Sequence, residues 1–246
     1  MRVVSQAVGP SGELTCYRAD RSAALPTAGG RPAVLVLPGG AYEYCSDREA
    51  EPVALGYLAE GFDAFVLRYA AGPDVPWERS FADAVAALDW LHQQARQLDI
   101  DAERIVVTGF SAGGHLAACL GTLAEVRPAA LVLGYPAVRG WVGMPPEKQL
   151  PDPVAAVDRH TPATFLFHTV EDAVVPVVDS LALLTALASA GVPFEAHLYP
   201  SGPHGISLAT PLTAAGVAAN VDPVVARWLS DSVQFLRRRF GTLPVE

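Results

Sequence analysis

The chain of 246 residues is 51% hydrophobic and 17% charged, which is enough apolar material for one α/β domain, 1–246, with a large core. Its formal net charge of -9 argues against a nucleic acid or an anionic membrane as partner, because both attract positive surfaces. No apolar run approaches the roughly 20 residues that span a bilayer, and the first residues lack the apolar stretch of a signal peptide. We therefore expect a cytoplasmic protein. Three widely spaced cysteines favour the same compartment, because they suit reduced thiols better than a disulfide framework.

The first part of the chain is predicted to alternate strands with helices. Short apolar runs rich in β-branched residues favour buried strands, and apolar residues at helical spacing favour amphipathic helices. The predicted strands are 14–18, 33–37 and 62–69, and the predicted helices are 50–61 and 81–98. The first strand is expected at the sheet edge, followed by a loop containing Pro26 and Gly29. This alternation indicates a mostly parallel, doubly wound sheet flanked by helices.

The next stretch places Ser111 at a sharp turn between a strand and a helix. Residues 105–107 form a β-branched apolar run, Gly-Phe-Ser-Ala-Gly at 109–113 breaks it, and apolar residues then recur at helical spacing. Glycines two before and two after the serine avoid the clash that a Cβ atom would make in such a turn. The first amides of the following helix favour an anion beside Ser111. Taken alone, these five residues also fit a glycine-rich turn with a solvated serine.

This turn matches the G-x-S-x-G nucleophile elbow, and at these residues the chain resembles the α/β-hydrolase family. The glycine-rich loop at 38–42, Pro-Gly-Gly-Ala-Tyr, is similar to the oxyanion loop of small bacterial carbohydrate-esterase-like hydrolases, those related to acetyl xylan esterases and feruloyl esterases. The resemblance extends over residues 32–240 and implies an α/β-hydrolase fold with Ser111 as the nucleophile.

The resemblance also implies where the tetrahedral oxyanion would be held. The amides of Gly40 or Ala41, together with the amide of Ala112 after the nucleophile, are predicted to form the oxyanion hole. An ordinary tight turn after a strand is the alternative for the loop alone. Tyr42 and Phe110 are predicted to line the substrate pocket.

The second part of the chain continues the alternation. Strands are predicted at 130–135, 163–168 and 194–199, and helices at 177–190 and 223–240. Between them, residues 136–162 are proline-rich and irregular. Hydrolases of this fold insert a cap here, and this segment is too short for a large helical lid, so we expect an open site. Trp141 within it either lines the pocket or packs the segment onto the body.

Two further residues complete a triad by the resemblance. Asp172 follows the strand 163–168, where the fold places the acid of the triad, and Glu171 is the neighbouring alternative that would point elsewhere. The alternative role for Asp172 is to cap the following helix. His204 lies in a glycine-rich loop after the last predicted strand. The order Ser111, Asp172, His204 is the one expected of this fold. The histidines His115, His168 and His197 are predicted to be scaffold residues.

These observations predict a serine esterase that acts on short-chain acyl esters, for which the resemblance suggests acetyl esters of sugars or xylo-oligosaccharides. The expected partner is a small-molecule or oligosaccharide ester, and the resemblance also allows a homodimer. No metal and no organic cofactor is expected. An arylformamidase-type or dienelactone-type hydrolase is an alternative within the fold. A non-catalytic protein that binds small molecules is the alternative from another class.

Overall fold

The computed structural model describes residues 1–20, 30–145 and 149–241. Within these residues, eight strands form one sheet in the order β1-β2-β4-β3-β5-β6-β7-β8. The strands are β1 (Arg2–Val8), β2 (Gly12–Arg18), β3 (Arg31–Leu37), β4 (Asp63–Arg68), β5 (Ile100–Phe110), β6 (Ala130–Gly134), β7 (Ala163–Thr169) and β8 (Phe194–Tyr199). The helices are α1 (Glu51–Ala59), α2 (Trp77–Leu98), α3 (Ala112–Thr122), α4 (Val177–Ser189) and α5 (Trp228–Phe240).

The sheet is mostly parallel, as the alternation of strands and helices predicts. All neighbouring pairs from β4 through β3, β5, β6 and β7 to β8 are parallel. Among the described strands, the antiparallel pairs are β1 with β2 and β2 with β4. The α/β-hydrolase fold class is confirmed.

One predicted feature of the sheet is wrong. The strand at 14–18, expected at the edge, is the second strand of the sheet, because β1 pairs along its outer side. Residues 2 to 6 of β1 are exposed or only half-buried, including Val3 and Val4. This strand therefore lacks the apolar periodicity by which buried strands are found. The predicted loop with Pro26 and Gly29 lies outside the described residues.

Strand β3 is buried along its whole length because both faces of the sheet are covered there. In β3, Leu35 and Leu37 belong to the core layer that contains α2, α3 and α4, whereas Val34 and Val36 belong to the layer that contains α1 and α5. Successive side chains of a strand point to opposite faces, so a doubly covered strand is a continuous hydrophobic run.

The parallel arrangement brings four loops to one edge of the sheet. The carboxyl ends of β3, β5, β7 and β8 are followed by Gly39, Ser111, Asp172 and His204, respectively. In open α/β sheets, this edge is where ligands bind.

The turn between β5 and α3 depends on glycine at position 113. A Cβ atom on Gly113 would lie 2.1 Å from the Leu37 carbonyl oxygen and 2.4 Å from the Pro38 carbonyl oxygen. Backbone atoms cannot move aside as side chains do, so α3 can approach the end of β3 this closely only with a glycine here.

We predict that Gly113→Ala lowers the free energy of unfolding by roughly 3 kcal/mol or prevents folding, because the new methyl group overpacks a rigid contact. Gly56→Ala in α1 is the matched control, since the first atom its methyl group meets is the end of the flexible Leu229 side chain. The control should change stability by no more than about 1 kcal/mol. Denaturant unfolding of both variants measures the difference, and equal stability of the two would contradict the prediction.

Candidate active site

Ser111 occupies a strained turn between β5 and α3. Its backbone angles are φ 50° and ψ -118°, a conformation that L-residues rarely adopt. A Cβ atom at Gly109 would lie 2.1 Å from the Gly113 carbonyl oxygen, so the turn is as crowded as the motif indicates. In this conformation, the Ser111 side chain points away from the end of the sheet while its backbone stays buried.

Ser111, His204 and Asp172 form one continuous hydrogen-bonded chain. The Asp172 Oδ2 atom lies 2.7 Å from His204 Nδ1, and His204 Nε2 lies 2.8 Å from Ser111 Oγ. An ionised carboxylate only accepts hydrogen bonds, so Nδ1 carries the proton and Nε2 is left to accept from the serine hydroxyl. The structure thus brings together the three residues predicted from the sequence and gives His204 the tautomer that a general base requires.

The Asp172 carboxylate is buried and fully hydrogen-bonded. Its Oδ1 atom accepts the N–H groups of Val174 and Val175, both at 2.9 Å. Burial by itself would raise the pKa of Asp172, but hydrogen bonds from His168 and His204 outweigh it and hold that pKa well below its usual range. The residue that precedes α4 is Pro176, so capping that helix does not account for Asp172.

His168 supports the acid from behind, a role that the sequence does not reveal. The His168 Nε2 atom lies 3.2 Å from Asp172 Oδ2 and 3.1 Å from the Val175 carbonyl oxygen, and both of these are acceptors. Nε2 therefore carries the proton, and Nδ1 accepts from the Ser180 hydroxyl at 2.7 Å. The prediction of a buried, hydrogen-bonded scaffold histidine agrees with these contacts.

A cavity of about 280 Å³ opens beside Ser111. The residues lining it include Gly40, Ala41, Glu49, Ser111, Trp141 and His204. Gly40 and Ala41 therefore lie where the predicted oxyanion loop should be, and Ala112 is the first residue of α3. Both roles considered for Trp141 agree with the structure, since its side chain lines the cavity and also packs against the core.

The predictions for Tyr42 and Phe110 need correction, because neither side chain lines this cavity. Tyr42 is buried, with its hydroxyl 2.7 Å from His115 Nδ1. Phe110 is fully buried in the layer of α5, where its ring packs edge-on against Trp228. Each residue is next in sequence to a residue predicted for the site, but its own side chain is buried in the body of the protein.

The loop after β3 adopts three consecutive left-handed residues. Gly40, Ala41 and Tyr42 have φ values of 125°, 55° and 59°. The Gly40 carbonyl oxygen accepts the N–H groups of Glu43 and Tyr44 at 2.8 and 3.2 Å. The loop therefore curls away from β3 and returns beside the serine.

Two adjacent residues at the cavity, Arg48 and Glu49, carry polar contacts that sequence reasoning missed. Glu49 is a buried acid that accepts hydrogen bonds from Gly39 and Tyr135. The Arg48 guanidinium donates to the carbonyl oxygens of Thr213 and Gly205, both at 2.6 Å. These contacts join segments far apart in the chain, so no local pattern could have indicated them.

Three other ionisable side chains near the site take no part in the hydrogen bonds that join Ser111, His204 and Asp172. Glu171 is exposed and has no place in the hydrogen-bonded chain of Ser111. Burial lowers the pKa of His115 to about 4, and its Nε2–H donates to the Pro151 carbonyl oxygen at 2.9 Å. Burial raises the pKa of the Cys45 thiol to about 11, which makes it a poor nucleophile.

The proline-rich segment 136–162 forms no helix in its described parts, 136–145 and 149–162. The Val142 N–H donates to the Val174 carbonyl oxygen at 2.8 Å and so ties the segment to the loop after β7. No helical lid therefore covers the cavity from these parts of the segment. Pro146, which belongs to the predicted proline-rich stretch, lies outside the described residues.

The described residues contain no cluster of three or more histidine, cysteine or acidic side chains able to hold a metal ion. No helix in the described part of the chain is long and apolar enough to cross a membrane.

Comparisons with known proteins agree with this geometry. The BD-FAE family model matches residues 24–130, and the model of the prolyl oligopeptidase family matches residues 145–216. The crystal structure of an α/β-hydrolase enzyme from a Medee basin deep-sea metagenome library is 41% identical, with a TM-score of 0.91, over 97% of this chain and 98% of that chain. The chain belongs to the α/β-hydrolase family.

Two curated relatives are similar over part of their length. Endo-1,4-β-xylanase B of Butyrivibrio fibrisolvens is 31% identical over 216 residues, which are 73% of this chain and 33% of the xylanase. An acetylxylan esterase of Xylanibacter ruminicola is 27% identical over 208 residues, which are 76% of this chain and 43% of the esterase. The chain therefore spans less than half the length of both relatives.

We predict that Asp172 gives folding stability a steep dependence on acid pH. Its pKa is lower in the folded chain than in the unfolded chain, so its ionised form stabilises the fold above the unfolded value of about 4. That stability is lost as the pH falls further. Between about pH 5 and 2, the free energy of unfolding measured with denaturant should therefore fall less steeply for Asp172→Asn than for the wild type. The exposed neighbour provides the control, since Glu171→Gln should keep the wild-type slope; an unchanged slope in Asp172→Asn would contradict the prediction.

Proposed function

We propose that the chain is a serine carboxylesterase that hydrolyses short-chain acyl esters, with acetyl esters of sugars or xylo-oligosaccharides as the substrate class. The observation that carries this proposal is the unbroken path from Asp172 Oδ2 through His204 to Ser111 Oγ, with contacts of 2.7 and 2.8 Å. Such a path activates a hydroxyl for attack on a carbonyl carbon.

In the first half of the reaction, His204 Nε2 takes the hydroxyl proton while Ser111 Oγ attacks the ester carbonyl. The tetrahedral oxyanion lies against the amides of Gly40 or Ala41 and of Ala112, where each donor is worth roughly 3 kcal/mol of barrier. His204 then gives its proton to the departing alcohol, and an acyl-enzyme forms on Ser111. Asp172 stabilises the imidazolium that exists between these steps.

In the second half, water enters beside His204, which removes its proton as the water attacks the acyl carbonyl. The same donors hold the second oxyanion, and collapse of this intermediate releases the carboxylic acid and restores Ser111. The residues of the site supply every proton transfer in this sequence.

The size of the cavity supports a small acyl group. The cavity has a volume of about 280 Å³, and Trp141 and Val174 are among the residues that line it. No helix in the described parts of 136–162 adds an apolar lid to it. The similarity to an acetylxylan esterase supports the acetyl group as the acyl unit. Glycoside hydrolysis, the activity in the name of the related xylanase, uses two opposed carboxylates, whereas Glu49 is the carboxylate on the wall of this cavity.

We also propose that the chain acts as one domain in the cytoplasm. The described residues share one sheet, with 136–162 as a short cap-like insertion at its active edge. Its three cysteines are free thiols, which suits a reducing compartment.

We predict that Ser111→Ala lowers kcat on p-nitrophenyl acetate by several powers of ten, because the nucleophile is lost and only the oxyanion donors and the binding pocket remain. Ser230→Ala on α5 is the matched control and should keep wild-type turnover, since its hydroxyl donates to the local Arg227 carbonyl oxygen and it does not line the cavity. Circular dichroism should show that both variants fold. Substantial turnover by Ser111→Ala would remove this serine as the nucleophile.

We predict that kcat/KM falls at least tenfold from p-nitrophenyl acetate to p-nitrophenyl octanoate, because the longer acyl chain exceeds the cavity. Steady-state kinetics over a series of acyl lengths tests this expectation. A flat or rising series would contradict the short-acyl assignment. Turnover of a formylated aromatic amine with no turnover of any ester would instead indicate an arylformamidase.

A further inference from the structure

The acyl-transfer sequence leaves one buried acid of the site without a role. Glu49 ends a one-turn 3₁₀ helix, Asp47–Glu49, and is 4% exposed although it lies at the wall of the cavity beside Ser111. A buried carboxylate is costly unless hydrogen bonds and charges compensate it. Its retention at this position therefore calls for a specific set of partners.

Both hydrogen-bond partners of Glu49 are donors, which suits an ionised carboxylate. Oε2 accepts the Gly39 N–H at 2.8 Å, and Oε1 accepts the Tyr135 O–H at 2.6 Å. The Tyr135 oxygen in turn accepts the Ser207 N–H at 3.0 Å, which directs its own proton to Glu49. Two donors thus converge on two oxygens, and a glutamine side chain offers only one acceptor for them.

One of these partners packs against Ser111 and the other packs against His204. A Cβ atom on Gly39 would lie 2.7 Å from Glu49 Oε2 and 3.0 Å from Ser111 Cβ, so the Gly39 backbone is packed directly between the carboxylate and the serine. The Tyr135 ring lies edge-on against the His204 imidazole, with 5.2 Å between the ring centres. Glu49 is therefore one group removed from both the nucleophile and the base.

The titratable and charged groups around Glu49 come from four parts of the chain. Arg48 lies next to it, Tyr135 follows β6, His204 lies in the loop after β8, and Tyr69 follows β4. Burial raises the pKa of Glu49, and hydrogen bonds from Tyr135 and Gly39, together with the nearby His204 and Arg48, oppose that rise. Among these groups, His204 is the one that gains a positive charge during the reaction.

We propose that Glu49 is a positioning residue of the hydrolase site. As a carboxylate it fixes the start of the oxyanion loop through the Gly39 N–H, and through Tyr135 and its own charge it stabilises His204 in the protonated state. The inference rests on the proposed serine-hydrolase function. It assigns the site a second carboxylate, which reaches His204 through Tyr135, whereas Asp172 contacts the imidazole directly.

The variant Glu49→Gln tests the proposal. We expect kcat on p-nitrophenyl acetate to fall ten- to a hundredfold with KM changed by less than threefold, because the lost interactions matter most when His204 is protonated in the transition state. The acid limb of the pH–rate profile should also move to lower pH, because a neutral side chain favours imidazolium less than a carboxylate does.

A matched buried carboxylate that does not line the cavity provides the control. Asp83 on α2 is buried and accepts the N–H groups of Ser11 and Ala70, each at 2.8 Å. Asp83→Asn should lower thermal stability while leaving kcat and the acid limb unchanged. If Glu49→Gln behaves in the same way as Asp83→Asn, Glu49 is only a structural residue and the proposal is overturned.

Two further measurements keep the test decisive. Tyr135→Phe retains the carboxylate and its charge, so it should lower kcat but move the acid limb to lower pH by less than Glu49→Gln does, and it serves if Glu49→Gln does not fold. The rate of Ser111 labelling by a fluorophosphonate, which needs no ester substrate, should fall at least tenfold in Glu49→Gln. If the wild type is labelled but hydrolyses no ester, the proposed substrate class fails while the labelling rates still decide the role of Glu49. A wild type that is neither labelled nor active overturns both.

Discussion

The close approach of α3 to the ends of β3 and β5 is the constraint on which the site depends. Gly113 lies so near the Leu37 carbonyl oxygen that no side chain fits between them. Because this contact is backbone on backbone, it fixes the distance between the loop that follows β3 and the serine that precedes α3. The proposed oxyanion site, made from amides of both segments, requires that distance to be fixed, since donors must already point at the oxygen when charge develops.

The third part of the site, the loop that carries His204, is held in a different way. It lies beyond the last strand and has no ladder of its own, so side chains attach it to the body. The Thr169 hydroxyl donates to the Gly202 carbonyl oxygen at 2.8 Å, and the Trp228 indole N–H donates to the Ser207 carbonyl oxygen at 2.9 Å. Arg48 adds the contact to Gly205. Hydrogen bonds from three separate elements thus replace secondary structure, and they hold the proposed base, His204, within 2.8 Å of the Ser111 hydroxyl.

Asp172 and His204 are likewise held by neighbouring groups outside the hydrogen-bonded chain that joins them to Ser111. The Asp172 oxygen that accepts the hydrogen bond from His204 also accepts one from His168. Glu49 accepts the hydroxyl proton of Tyr135, whose ring packs against the His204 imidazole. Such outer contacts fix the rotamers of the reacting groups, and small errors in their placement are costly to the rate. The site is therefore better described as a network anchored in the sheet than as three residues.

The sequence predicts the parts of this arrangement that depend on local pattern. Buried strands such as β3 and β5 are continuous apolar runs, and the spacing of Gly109, Ser111 and Gly113 is a steric requirement of the turn. Strand β1 escaped prediction because an exposed edge strand needs no apolar periodicity.

Side-chain direction and long-range contacts were beyond the reach of the sequence. Tyr42 and Phe110 point into the body because of the twist of a left-handed loop and the pleat of a strand, which only coordinates reveal. Glu49 meets Tyr135 across 86 positions of the chain, so nothing near Glu49 in the sequence indicates its partner.

The most direct test of the account is detection of the acyl-enzyme. Wild-type protein mixed rapidly with p-nitrophenyl acetate and quenched in acid should carry one acetyl group, and peptide mass spectrometry should place it on Ser111. Ester turnover with no acetylated peptide, or with the acetyl group on another residue, would contradict a mechanism centred on this serine.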